Sequence, residues 1–460
     1  MNLTIPAFRG MIIILKTSND YHEKFLKDCP IGKRGANMSE KLYVTKNGIK
    51  IYSYKNESAH SFFVSMFLRA GSMFEREEDG GITHFLEHIS IRNVNALMED
   101  GLYALLDRYG LEFNASTFAE MVQFYTSGSP KNFAVSAKIL ASVLSPIIVA
   151  PSEIAIERDR IKAEIREGDE KNSLAAFSGS VVFEDTALAR SILGTNKTVR
   201  TLTKARLERY RREVMTTGNI FFYVTGSFTD EDILALAREI EKYDIAEGES
   251  RRNIAPVPSN FSKRSPEVHI KNGDFTMLRL TFDVDMSLVS APALDLIYDM
   301  LISGYNSRLF FELSEKRGIF YDINGQLDKY KNIGVFAFSF EIKEEMLYEA
   351  LELTLGILSD VKNKIPDEGE CMKAGYVDNA PMLLDDSREL NFTFGYGNHI
   401  MEQNYKNLDD HINAYKKVTP EEIARTMKTI FAPENLTVTV KGKKRKIDKA
   451  RLDEILRRYS

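Results

Sequence analysis

Cysteine is nearly absent from this chain. Cys29 and Cys371 are the only two in 460 residues, and no C-x-x-C spacing occurs. That scarcity argues against a disulfide framework and against a structural zinc site, which is usually closed by four cysteine-rich ligands. Long apolar runs are missing as well. The run Met11–Leu15 is bracketed by Arg9 and Lys16 and falls far short of the roughly 20 residues that span a bilayer. There is no excess of basic residues: the net charge is −5, and no basic stripe interleaved with aromatics suggests nucleic-acid binding. The expectation is a cytoplasmic protein without membrane or nucleic-acid partners. Its 43 % hydrophobic and 28 % charged residues are normal for a globular core, and the length fits two domains.

Histidine is also scarce, with seven in all, so the placing of two of them carries weight. Gly81-Ile82-Thr83-His84-Phe85-Leu86-Glu87-His88 reads H-x-x-E-H, the H-E-x-x-H zinc-protease signature in reverse order. On a helix, His84 and His88 are an i,i+4 pair and Glu87 lies one turn from His84. Two imidazoles can then grip one Zn²⁺ while a carboxylate faces its water. The alternative is a surface helix that happens to hold two histidines. A catalytic zinc usually takes three protein ligands, and Ile156–Ile165 offers carboxylates. Glu157 and Glu164 are seven apart and share a helix face. A solvated charged helix is the alternative there, since Glu153, Glu167 and Glu170 are close by.

H-x-x-E-H followed by Glu157-Arg158-Asp159-Arg160 and Glu164-Ile165, with Glu164 76 residues after His88, resembles the pitrilysin family of metallopeptidases. That family includes insulin-degrading enzyme and mitochondrial processing peptidase. The resemblance implies one Zn²⁺ per chain held by His84, His88 and Glu164, with Glu157 orienting the ligands from behind. It implies a zinc metalloendopeptidase in which Glu87 takes a proton from the zinc-activated water and passes it to the leaving amine. It also implies two α+β domains, each a mainly antiparallel sheet packed with helices, together forming half of a clamshell chamber. A dimer completes such a chamber, either of identical chains or with a related subunit.

An internal repeat supports the tandem plan. Leu202–Leu207 matches Val418–Ile423, and Gly218–Gly226 matches Glu434–Gly442, at a constant offset of 216. Each copy reads as a capped amphipathic helix, an Asn-containing turn and a strand of alternating β formers. The second copy lacks H-x-x-E-H; its histidines, His269, His399 and His411, are scattered. The expected organisation is an extension over 1–37, a zinc-bearing domain over 38–250, a Pro/Ser-rich linker over 251–266 and a second domain over 267–460. Residues 1–37 show no sustained period, a docked N-terminal helix being the alternative. From Lys41 to Tyr52 the sequence reads as two strands around Asn47-Gly48.

Two further segments follow from the resemblance. Phe113–Glu120 resembles the family's N-A-x-T-x-x-E stretch, whose sheet edge takes substrate backbone as an added strand. Asn114 and Ala115 are therefore the candidate substrate contacts, an ordinary core hairpin being the alternative. Val122–Thr126 follows as an alternating strand. Ser307–Tyr321 resembles a segment in which an Arg, and a Tyr seven residues later, hold the substrate. Tyr321 matches the tyrosine and is the candidate oxyanion donor, but Ser314 stands where the arginine belongs. Either substrate is positioned differently here, or a partner subunit supplies the Arg/Tyr pair. The rival function is a non-catalytic peptide-binding or scaffold subunit of a heteromeric complex.

Overall fold

Gly48 turns the chain between β1 (Lys41–Val44) and β2 (Lys50–Lys55) with φ +85°, a conformation that costs glycine little. The computed structural model describes residues 39–459 apart from 172, 185, 252–265, 304–305 and 364–367. The 1–37 extension, Cys29 and nearly all of the 251–266 linker thus lie outside the described residues. After β2 come β3 (Phe62–Leu68), β4 (Glu112–Thr117), β5 (Val122–Gly128) and β6 (Ile220–Gly226). They form one sheet in the order β1-β2-β6-β3-β5-β4. A second sheet contains β7 (Glu267–Asn272), β8 (Thr276–Asp285), β9 (Asn324–Lys329), β10 (Ile333–Ile342) and β11 (Leu436–Gly442), in the order β7-β11-β8-β10-β9.

Without β1 the two sheets have the same plan. In each, the first pairing (β2–β6, β7–β11) is parallel and the rest are antiparallel. The offset of 216 recurs residue for residue. The helices Lys204–Val214 and Pro420–Ile430 are capped by Thr203 and Thr419. Asn219 Nδ2 donates to the Val214 carbonyl at 2.8 Å, and Asn435 Nδ2 to the Ile430 carbonyl at 3.3 Å. The chain is therefore two tandem α+β domains.

The strands of the first sheet do not alternate in burial as expected for Val122–Thr126. β3 and β6 are buried throughout, and β5 is buried from Val122 to Thr126. Both faces are covered, which replaces alternation with burial along the strand, and the polar side chains Ser65, Gln123, Thr126 and Thr225 are buried with the apolar ones. One face, with Val64, Met66, Phe222 and Val224, meets a core that includes residues of Ile82–Leu97, Phe133–Ala141 and Asp230–Ile240. The other face, with Tyr54, Phe67, Phe221 and Tyr223, packs against Leu390, Phe394 and Ile400 of the second half. The second sheet is covered in return: Val182 and Phe183 pack on Ile333, Val335 and Ala337, and Ser178 Oγ lies 2.8 Å from Thr281 Oγ1. Each half therefore covers one face of the other's sheet.

Polar contacts cross this interlock. Glu120, at the β4–β5 turn, accepts a hydrogen bond from Tyr396 Oη at 2.7 Å. Burial raises its carboxyl to about 7, against the pull of the Tyr396 hydrogen bond and the Arg69 charge. A carboxyl raised above its unfolded value binds its proton more tightly when folded. The stabilisation is complete below about pH 4.5 and is lost as pH rises through about 7. Between pH 5 and 8 this group should therefore cost the native chain on the order of 3 kcal/mol. Glu120→Gln removes that slope, and urea midpoints at the two pH values will show whether native and variant chains diverge.

Candidate active site

The helix Ile82–Leu97 starts at Gly81, which has φ +85° and no side chain to cap the first turn. A Cβ there would stand 2.6 Å from the Leu193 carbonyl oxygen, so glycine is required twice over. The cap comes from upstream. Buried Glu75 accepts the N–H of Gly81 at 2.8 Å and of Thr83 at 2.9 Å, placing a carboxylate at the positive end of the helix. Thr83 Oγ1 and Tyr210 Oη meet at 2.7 Å, which fixes the helix N-terminus against Lys204–Val214.

The next turn carries the two histidines, their rings 4.6 Å apart. The helix Pro151–Lys171 brings Glu164 Oε2 to 3.7 Å from His84 Nε2 and 3.5 Å from His88 Nε2. One ligand atom from each of the three lies within 4.8 Å of the others, and no fourth His, Cys, Asp or Glu joins them among the described residues. Donors about 2.0–2.1 Å from a tetrahedral zinc stand roughly 3.3 Å apart. The spacing therefore fits a His₂Glu zinc site with one corner left open.

Burial, then the neighbouring His88, push His84 down to about 3. Burial also opposes protonation of His88, but hydrogen bonds to Glu157 and Glu164 outweigh it and raise the imidazole to about 9. Glu164 is half-buried, yet His88 holds its carboxyl below the ordinary range.

Glu157 is buried behind His88 and receives three cationic groups. His88 Nδ1 lies 3.1 Å from its Oε2, while Arg92 Nε and an Arg160 guanidinium nitrogen donate to Oε1 at 2.9 and 3.1 Å. His84 Nδ1, by contrast, is buried without a hydrogen-bond partner among the described residues. Orientation of the pair thus rests on the His88 side. Glu157→Gln keeps the shape and removes the charge, and zinc affinity should fall about 10- to 100-fold, read by chelator competition.

Glu87 is buried on the same helix, and Thr117 Oγ1 donates to its Oε2 at 2.6 Å. Burial lifts its carboxyl above the usual range, and this hydrogen bond pulls it back. Thr117 ends β4, the last strand of its sheet, whose outer edge meets no further strand among the described residues. Asn114 and Ala115 lie on that strand. Asn114 is exposed, its Oδ1 accepting the adjacent Ala115 N–H at 2.9 Å and its side chain also meeting the Tyr125 hydroxyl, and Ala115 packs partly against the helical core.

Tyr321 is 89 % exposed and makes no hydrogen bond among the described residues. Ser314, at the arginine position, donates to the Phe320 carbonyl at 2.7 Å, and Arg317 pairs with Glu312 at 3.0 Å. Ser314 and Arg317 are thus tied to their own segment. Thr117 falls within Phe113–Glu120 without a role assigned from sequence, and Glu75 and Arg92 lie in no motif. A helix start at glycine, which calls for a cap from elsewhere, was the one available signal for Glu75.

Two family descriptions match most of the chain. The description "Insulinase (Peptidase family M16)" matches residues 50–196, and "Peptidase M16 inactive domain" matches residues 201–374. An uncharacterized zinc protease of Rickettsia bellii is 25 % identical over 86 % of this chain and 94 % of its own length. One from Rickettsia felis is 26 % identical over 69 % of this chain and 78 % of its own length. In fold, the chain is similar to a protease from Helicobacter pylori (TM-score 0.76, 17 % identity, covering 88 % of this chain and 99 % of that one). It is also similar to a chain of complex III2 from Candida albicans (TM-score 0.75, 15 % identity, 90 % and 99 %). With the reversed histidine motif, the His₂Glu cluster and the tandem sheets in place, the chain belongs to the insulinase family, peptidase family M16.

Proposed function

We propose that this chain is a zinc-dependent endopeptidase that hydrolyses peptides or unfolded segments bound as an added strand along β4. The observation that carries this is the convergence of His84, His88 and Glu164 around one point, with Glu87 on the same helix. The zinc-protease names of its relatives support the reading. When bound, zinc supplies Lewis acidity and makes water nucleophilic near neutral pH.

The chain's own residues do the rest. Glu87 Oε2 is occupied by Thr117, so Oε1 is the oxygen that takes a proton from the attacking water and returns it to the leaving nitrogen. The open edge of β4 offers main-chain donors and acceptors to an extended peptide, with Asn114 and Ala115 at its middle. Tyr321 joins only if a paired subunit or substrate draws it in. Because a folded protein has no free strand to offer, the substrates are peptides and unfolded segments.

A second reading, a non-catalytic peptide-binding subunit, is favoured by Ser314, which is tied to Phe320 where the resemblance places an arginine. Elemental analysis together with cleavage of a quenched-peptide library separates the two. One zinc per chain, with cutting lost on chelation and restored by zinc, supports the peptidase. Zinc without cutting favours the second reading, and a chain that takes up no zinc overturns the metal site.

A further inference from the structure

We infer that Thr117 fixes the general base relative to the bound substrate strand, which makes it a positioning residue for hydrolysis. The inference rests on the peptidase reading above. Thr117 is the last residue of β4 and pairs with Val122 of β5, and its hydroxyl is the one side-chain donor that reaches Glu87 among the described residues. The terminal torsion of a glutamate is broad and roughly two-fold. A carboxylate pinned at Oε2 loses that freedom, and Oε1 is left in one direction. The packed helix sets where Glu87 stands, and Thr117 sets how its carboxylate is turned.

The strand that supplies this hydrogen bond is itself anchored at its other end. Glu112, its first residue, pairs with Arg388 from the second half and accepts Ser127 Oγ at 3.1 Å. The Arg388 guanidinium lies over the rings of Phe63 (5.2 Å) and Tyr125 (4.9 Å) on β3 and β5. Between these anchors runs the open edge. A peptide backbone paired with β4 is then registered against the strand that orients the base. Errors of about 1 Å in such a register cost on the order of 100-fold in rate.

The test compares Thr117→Val, which keeps the β-branched shape and removes the donor, with Thr117→Ser, which restores the hydroxyl. The probe is a fluorogenic decapeptide selected from a random library. For Thr117→Val, kcat should fall about 30- to 100-fold, with KM within about two-fold and zinc affinity unchanged. Thr117→Ser should return kcat to within about three-fold of native. Loss through KM alone, an unchanged kcat, or a serine variant as poor as the valine would overturn the inference, since each points to packing.

Crystal structures of the zinc-loaded native and Thr117→Val chains give a readout independent of turnover. One Glu87 carboxylate orientation in the native chain and more than one in the variant supports the inference. A native Glu87 turned away from Thr117 overturns it whatever the activity. A native chain that holds zinc and the Thr117 contact yet cuts nothing overturns the peptidase reading, and this inference with it.

Discussion

Glu87→Gln is expected to lower kcat for peptide hydrolysis about a thousand-fold while one zinc remains bound per chain. The substitution keeps size and shape, and the amide oxygen can still accept from Thr117, so the helix and the edge strand have no reason to move. What disappears is the capacity to take a proton. A positioned general base contributes roughly 10²- to 10⁴-fold, and Glu87, on the helix that carries both histidines, is not a member of the ligand group and is not engaged by arginines as Glu157 is. Zinc affinity should change by less than about ten-fold, because only a neighbouring charge is lost. Single-turnover cleavage alongside metal content measures both. If the variant cuts as fast as the native chain, the base lies elsewhere. If it loses zinc as well, Glu87 helps to build the metal site, and its role as a proton carrier is not the explanation.

The sequence made some of this legible and hid the rest, for a physical reason. His84 and His88 are four residues apart, and Glu157 and Glu164 seven, so helical periodicity alone sets them on common faces. The repeat was visible because helix, cap, asparagine turn and strand follow one another locally in both copies. Long-range partners leave no such trace. Glu112 and Arg388, Glu120 and Tyr396, and Ser65 and Asn391 are separated by 276, 276 and 326 residues. Nothing in their spacing marks them as neighbours. The missing alternation in β5 has the same origin, since Arg388 from the other half of the chain lies over Tyr125 on its second face. Tyr321 shows the converse. Its local pattern is close to the family's, yet it is 89 % exposed and, among the described residues, joined to none of the candidate site.

Asn391→Leu should destabilise the chain by about 3–4 kcal/mol. Asn391 is completely buried. Its Oδ1 accepts from Ser65 Oγ at 2.7 Å, and its Nδ2 donates to the Tyr223 carbonyl at 2.9 Å and the Phe63 carbonyl at 3.4 Å. The side chain thus joins a helix of the second half to β3 and β6 of the first sheet. Beside it, Thr225 Oγ1 donates to the Ser387 carbonyl at 2.6 Å, and Gln123 Nε2 to Ser65 Oγ at 2.8 Å. Leucine fills a similar volume but satisfies none of these groups, so their desolvation is left uncompensated. A native-like shape with a lower urea midpoint is the expected result, along with a melting temperature reduced by about 3–6 °C. Asn413→Ala, at an exposed helical position, should leave both unchanged. Amide exchange decides whether the interlock is energetic or merely geometric. If Asn391 couples the halves, protection should fall in β3 and β6 as well as in Ser387–Asn391. A variant that loosens only its own helix would mean that the first sheet is stable without the covering segment.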